Sequence, residues 1–160
     1  MNRIASALML LALLVAGCGG VPPEAEASVT KAASAFESKD KAAIAAVVLP
    51  GQRTGPLGLP SGLAITGAGK MTSDLTLDDL LDVDFFAKVK SVKPNPDLSD
   101  MDDENTARLG VTFDYGDSVT AVRSLVLKKE GDTWLVDIKA TLEWWEKLNG
   151  ADALSAIGLK

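Results

Sequence analysis

Alternation of apolar and polar residues in the C-terminal half of the chain constrains the fold more than any other feature of the sequence. Over residues 106–115 it places Leu109, Val111, Phe113 and Tyr115 on one face of an extended strand. Residues 119–129 and 133–138 continue the pattern. Gly116-Asp117 and Gly131-Asp132 separate the three runs as two-residue connections with glycine first, which is what a type II′ hairpin turn requires. Three strands joined in this way make an antiparallel meander, and its apolar face, including Trp134, Val136 and Ile138, needs a cover. A looser alternation over 85–93 predicts another strand ahead of them.

The cover is encoded upstream. Ala25, Val29, Ala32, Ala33 and Phe36 recur at three- and four-residue spacing, with Glu24 and Glu26 at the start, so residues 24–38 read as an amphipathic helix. Asp40 is placed to cap a second, shorter helix through Val48, which Pro50 stops. Residues 50–70 carry Gly, Pro and scattered leucines without periodicity. They read as a surface loop with a short strand near 62–66, or as a flap over a cavity. Thr76 followed by Asp79 resembles a capping box for one or two helical turns up to Asp84, and residues 141–148 read as a closing helix with Gly150 at its end.

The N-terminus has a different logic. Arg3 precedes a stretch from Ile4 to Ala16 that is apolar apart from Ser6 and ends in small residues. As a helix this stretch reaches roughly 20 Å, short of a hydrocarbon core of ~30 Å, and Gly-Gly and prolines follow it instead of a basic flank. A secretory signal fits better than a permanent span. Val15-Ala16-Gly17-Cys18 resembles the lipobox of bacterial lipoproteins, and Cys18 is the only cysteine. The resemblance implies cleavage before Cys18, diacylglycerol on its thiol and an acyl chain such as palmitate on the freed amine. Two or more chains are what stable anchoring needs. It also implies a cell-envelope location, and Gly19 in place of an aspartate implies the outer membrane in a diderm cell. Residues 1–17 are then a signal peptide, 18–24 a tether reaching at most about 25 Å, and 25–160 one domain.

Absent residues exclude chemistry. The chain has no histidine and assigns its one cysteine to lipid, so Ser-His-Asp and Cys-His nucleophilic systems lack a base and zinc lacks its usual ligands. No cofactor is expected. No disulfide is available either, so the apolar core must hold the domain alone. The formal net charge of −6 suits neither nucleic acid nor anionic headgroups as a partner.

Two segments, Phe36 to Ile44 and Lys129 to Asp137, look like the NTF2-like superfamily and its small lipoprotein members, as does the order of helices before strands. The resemblance implies an α+β fold of the NTF2-like/cystatin-like kind, N-terminal helices packed on a curved antiparallel sheet that forms a cone. Enzymes of that superfamily use acidic, tyrosine or histidine groups inside the cone. With one tyrosine and no histidine, their catalytic residues do not carry over. The expected function is a non-enzymatic, membrane-tethered binding or interaction domain with an envelope protein as partner; the alternative is a small-molecule binder or enzyme working from the cone interior.

Three constellations stand out. Asp97, Asp100, Asp102, Asp103 and Glu104 fall in a stretch expected to join strands, where Asp100, Asp102 and Glu104 are weak calcium candidates; without the glycine and terminal glutamate of an EF-hand, a solvated acidic loop is favoured. Trp144 and Trp145 sit about 100° apart on a helix and cannot both face the core centre; packing of both along the domain edge is favoured, and the alternative leaves one as a contact for a partner or a membrane interface. Tyr115 with Asp114 or Asp117 is the one pairing that imitates a proton-transfer site. Strand alternation sends Tyr115 and Asp114 to opposite faces, and Asp117 lies in the turn.

Overall fold

A computed structural model describes residues 20–59, 72–150 and Leu154. The lipobox with Cys18 lies outside the described residues, as do positions 60–71 of the long loop. Among the described residues no helix is long and apolar enough to cross a membrane.

The fold is α+β, with helices ahead of a four-stranded antiparallel sheet. Helix α1 spans Pro23–Ser38 and buries Ala25, Val29, Ala32, Ala33 and Phe36, the periodic set. Pro23 opens it, where a missing N–H is harmless, and the chain leaves it through Lys39 in a left-handed conformation at φ 56°. Helix α2, Lys41–Val47, starts on the Asp40 carboxylate, which accepts the N–H groups of Ala42 and Ala43. A 3₁₀ turn, Pro50–Gln52, follows. Leu57 and Leu59 are buried, so this part of the loop is held to the core. Helix α3, Leu77–Leu81, carries the expected capping box: Asp79 donates its N–H to Thr76 Oγ1 at 3.2 Å while its carboxylate accepts the Thr76 N–H at 3.0 Å.

The expected strand over 85–93 does not form. Asp84–Ala87 is helix α4, and pairing begins only at Ser91. Phe85 and Phe86 are both buried, and this explains the difference. A strand with one wet face would turn one of two adjacent rings into water, whereas a helical turn spreads them by about 100° and lets both reach the interior.

The strands are β1 Ser91–Asp103, β2 Thr106–Gly116, β3 Val119–Glu130 and β4 Thr133–Val136, hydrogen-bonded in chain order. Strand β4 stops at Val136, short of the expected 138, because the Asp137 side chain caps the helix that Ile138 opens. Two further expectations need correction. The β2–β3 turn is centred on Asp117-Ser118, both at positive φ (52° and 64°), with Gly116 still in β2 and opposite Val119. Two positive φ values match a type I′ turn, and the register slips at Gly116. Gly131-Asp132 does serve as a two-residue connection with only its glycine at positive φ. The acidic stretch is likewise no inter-strand loop: Asp97 to Asp103 belong to β1, and only Glu104 and Asn105 form the turn into β2.

One face of the sheet is the core face. Leu109, Val111, Phe113 and Tyr115 of β2 point to it, with Ala121, Leu125 and Leu127 of β3, and α1 lies across them. Phe85, Phe113 and Trp145 fill the centre with ring centroids 5.2–6.0 Å apart, the range in which aromatic pairs attract.

Each margin of the sheet is stopped. At β4, Leu49 donates its N–H to Val136 O at 3.0 Å and Val48 bridges Val136. Helix α5, Ile138–Asn149 with Gly150 at its end, runs along the part of β3 that β4 leaves uncovered. There the Val126 N–H reaches Thr141 Oγ1 at 2.9 Å and Trp145 Nε1 donates to Ser124 O at 2.7 Å. At the other margin, β1 carries Pro94 and Pro96 and a register break between Asn95 and Asp100, and Glu37 accepts the Val92 N–H.

Candidate functional site

Buried polar groups are the first place to look for chemistry. Asp137 is 4% exposed, and its carboxylate accepts the Ala140 N–H at 2.9 Å and Gln52 Nε2 at 2.8 Å and pairs with Lys128 Nζ at 2.7 Å. Burial favours the neutral acid. The Ala140 N–H, the Lys128 ammonium and the Gln52 amide together outweigh it and hold the carboxyl below its ordinary range. Gln52 completes the arrangement by accepting the Ile138 N–H at 2.7 Å. Oδ1 of Asp137 is thus spent on starting α5, and Oδ2 on the Lys128 ammonium of β3.

Tyr115 is buried against Phe85, and burial pushes its phenol well above the ordinary value, with Arg123 pulling weakly the other way. Its hydroxyl has no hydrogen-bond partner among the described residues. Asp114, on the opposite face, accepts the Gly116 N–H at 2.7 Å, and Asp117 is in the turn. The structure brings neither carboxylate to the phenol.

The acidic stretch acts on one arginine. Asp100 lies 3.2 Å from Arg108, Asp102 contacts the same guanidinium nitrogen, and Glu104 accepts from its neighbour Asn105 in the turn. Among the described residues no three acidic, His or Cys side chains are grouped so that they could hold a metal ion.

Arg108 leads to a surface feature that core packing does not explain. Its guanidinium lies 4.3 Å over the Trp144 ring, and the Lys147 ammonium lies 5.5 Å from that ring. The two tryptophans divide as helical geometry requires: Trp145 is 1% exposed in the core, while Trp144 is partly buried on the outer face. Beside it, Leu98, Val122 and Leu148 are 47%, 42% and 62% exposed, the large exposed hydrophobics among the described residues. All three line one groove of about 290 Å³ with Arg108, Ser124 and Trp144.

Leu98 reaches this face because β1 bulges. Asn95 pairs with Gly110 and Asp100 with Arg108, so four residues of β1 stand opposite one of β2. The bulge folds over Gly110, where an added Cβ would lie 2.3 Å from Asn95 O and 2.7 Å from Leu98 Cβ. Only glycine leaves room. Ser99 Oγ accepts the Gly110 N–H at 3.4 Å and ties the bulge down. The sequence reading singled out Trp144 but missed Arg108, Leu98 and Val122. Alternation along 119–129 already places Val122 on the face opposite Leu125; the proline pair before Leu98 signals a broken ladder without saying where it turns.

A second recess, about 180 Å³, lies between α1, α2 and α4 over Phe36, Ile44 and Phe86. The Lys39 ammonium at its rim donates to Ala87 O at 2.6 Å. It is small for a ligand pocket, which typically measures about 300–1,000 Å³.

No protein-family model, curated protein or solved structure matches this chain.

Proposed function

We propose that this chain is a lipoprotein of the bacterial cell envelope, cut before Cys18 and lipidated there, whose single domain is NTF2-like and acts as a non-enzymatic binding module. The observation that carries the binding reading is the gathering of Leu98, Val122 and Leu148 beside Trp144 on one groove. Scattered surface leucines need no explanation, but a contiguous apolar face with an arginine-stacked tryptophan has the composition of a contact surface. The domain interior supports the same reading. Phe85, Phe113 and Trp145 occupy the space where a cone-interior ligand would sit, and the buried carboxylate, Asp137, is committed to a helix start. Helices placed ahead of an antiparallel meander, with α1 across its inner face, support the NTF2-like assignment. The apolar run before Cys18, its small residues and the lone cysteine support the anchor.

Intact mass of the protein purified from bacterial membranes tests the anchor. A species beginning at Cys18 with added diacylglycerol and acyl mass, lost in Cys18→Ser, is the expected result. An unmodified cysteine, or membrane association unchanged in Cys18→Ser, overturns it.

A further inference from the structure

We infer that the outer-face groove is a membrane-docking surface: Leu98, Val122, Trp144 and Leu148 seat on the bilayer that holds the Cys18 lipid. The inference rests on the anchor reading and adds to it an orientation for the domain.

Where the chain enters the fold argues for the bilayer. Five residues, Cys18 to Pro22, precede α1, and fully extended they span about 18 Å. Helix α1 then packs its first turns beside the β1 bulge: Glu26, Val29 and Thr30 line a common recess with Pro94, Asn95 and Ser99. The same bulge carries Leu98 to the outer face. A lipid on Cys18 therefore brings the bilayer to the side of the domain on which the exposed leucines lie. A short tether holds the face at an effective concentration in the millimolar range, so contact that is weak by itself suffices to orient the domain.

The chemistry of the face agrees. Leu98, Val122 and Leu148 are each exposed by about half, deep enough in the domain to be held in place and free enough to enter the headgroup boundary. Tryptophan is the residue enriched at that boundary, having an apolar body and a polar edge. Lys147 flanks Trp144 and can lay its stem on apolar surface while its charge meets phosphates, whereas the Arg108 guanidinium is already held between the Trp144 ring and the Asp100 and Asp102 carboxylates. Asp100 and Asp102 offset Arg108, and with a net charge of −6 on the whole chain the match is to zwitterionic rather than anionic lipid.

The test uses the full lipidated chain with a cysteine at one added position, labelled with an environment-sensitive fluorophore, since lipidation blocks the Cys18 thiol. Leu148→Cys reports the groove, and Ser34→Cys, on the exposed side of α1 across the sheet, is the control. The proteins are placed in phosphatidylethanolamine–phosphatidylcholine vesicles with brominated acyl chains, and intact mass is read on the same samples. A blue shift and bromine quenching at 148 but not at 34, both lost when Leu98→Asp and Val122→Asp are added, is the expected result. Thermal unfolding of that variant, with a cooperative transition still well above the assay temperature, separates lost docking from lost folding. A lipidated protein whose label at 148 stays as wet as that at 34 overturns docking and leaves the anchor standing. A label wet on vesicles but shielded in intact bacterial membranes gives the face to a protein partner and overturns the bilayer as occupant. A chain without lipid mass refutes the anchor itself, and the mass alone shows it.

Discussion

Asp137→Ala removes the point at which the sheet hands the chain to α5, and the structure fixes how much stability goes with it. The carboxylate caps the helix through Ala140, and losing such a cap costs about 1 kcal/mol. Its bond to Gln52 is charge-assisted and partly buried, worth about 1.5 kcal/mol, and without it the amide that also holds the Ile138 N–H loses its own support. The Lys128 ammonium is half exposed, so solvent screening reduces that ion pair to about 0.5 kcal/mol. The sum is about 3 kcal/mol. In urea, with a slope of about 2 kcal/mol per molar, the midpoint moves down by about 1.5 M at unchanged slope. The pH dependence has a definite sign. The folded carboxyl titrates below the unfolded one, so the unfolded chain binds the proton first and the charged Asp137 contributes stability above the unfolded value. That contribution is lost as pH falls through the folded value. Wild type and Asp137→Ala therefore differ most near neutrality and converge in acid, while Asp137→Asn, which keeps a capping oxygen, falls between them. A midpoint shift under about 0.5 M at neutral pH, or a difference that does not shrink in acid, refutes the assignment of Asp137 as the organiser of this junction.

Two further outcomes test the outer face. Gly110→Ala forces Asn95 and Leu98 away from the added methyl, and strain of this kind costs about 1–3 kcal/mol, read as a lower urea midpoint. The tryptophan pair separates by role: Trp145→Ala, fully buried, lowers stability by about 3–5 kcal/mol, whereas Trp144→Ala, partly exposed, lowers it by about 1 kcal/mol, both by urea unfolding.

What was legible in the sequence depended on whether one local rule decided the outcome. The α1 stripe, the Asp40 cap, the Thr76–Asp79 box and the alternation of β2 are each settled within a few residues, and each is found where the pattern places it. Helix α4 was hidden because adjacent phenylalanines look the same in either periodicity until the second face of the sheet is known to be wet. The turn at Asp117-Ser118 was hidden because glycine one position earlier serves a register slip. Of the groove, Trp144 was visible from helical geometry. Its companions were not, since Leu98 arrives by a bulge whose direction depends on the space above Gly110.

The stopped margins of the sheet have a consequence for the history of the molecule. A chain with no disulfide cannot use covalent cross-links to keep its strands from pairing with those of a neighbouring copy. Here that task falls to backbone groups already spoken for: the open stretch of β3 bonds to Thr141 and Trp145, β4 to Leu49, and β1 presents prolines and a break. The caps on β3 and β4 do not exist before α5 and the segment after α2 have docked, whereas the prolines of β1 are in place from the start. The four strands are therefore most exposed to polymerisation in the interval between sheet formation and helix docking, and variants that loosen α5 are expected to aggregate sooner than they lose their strands.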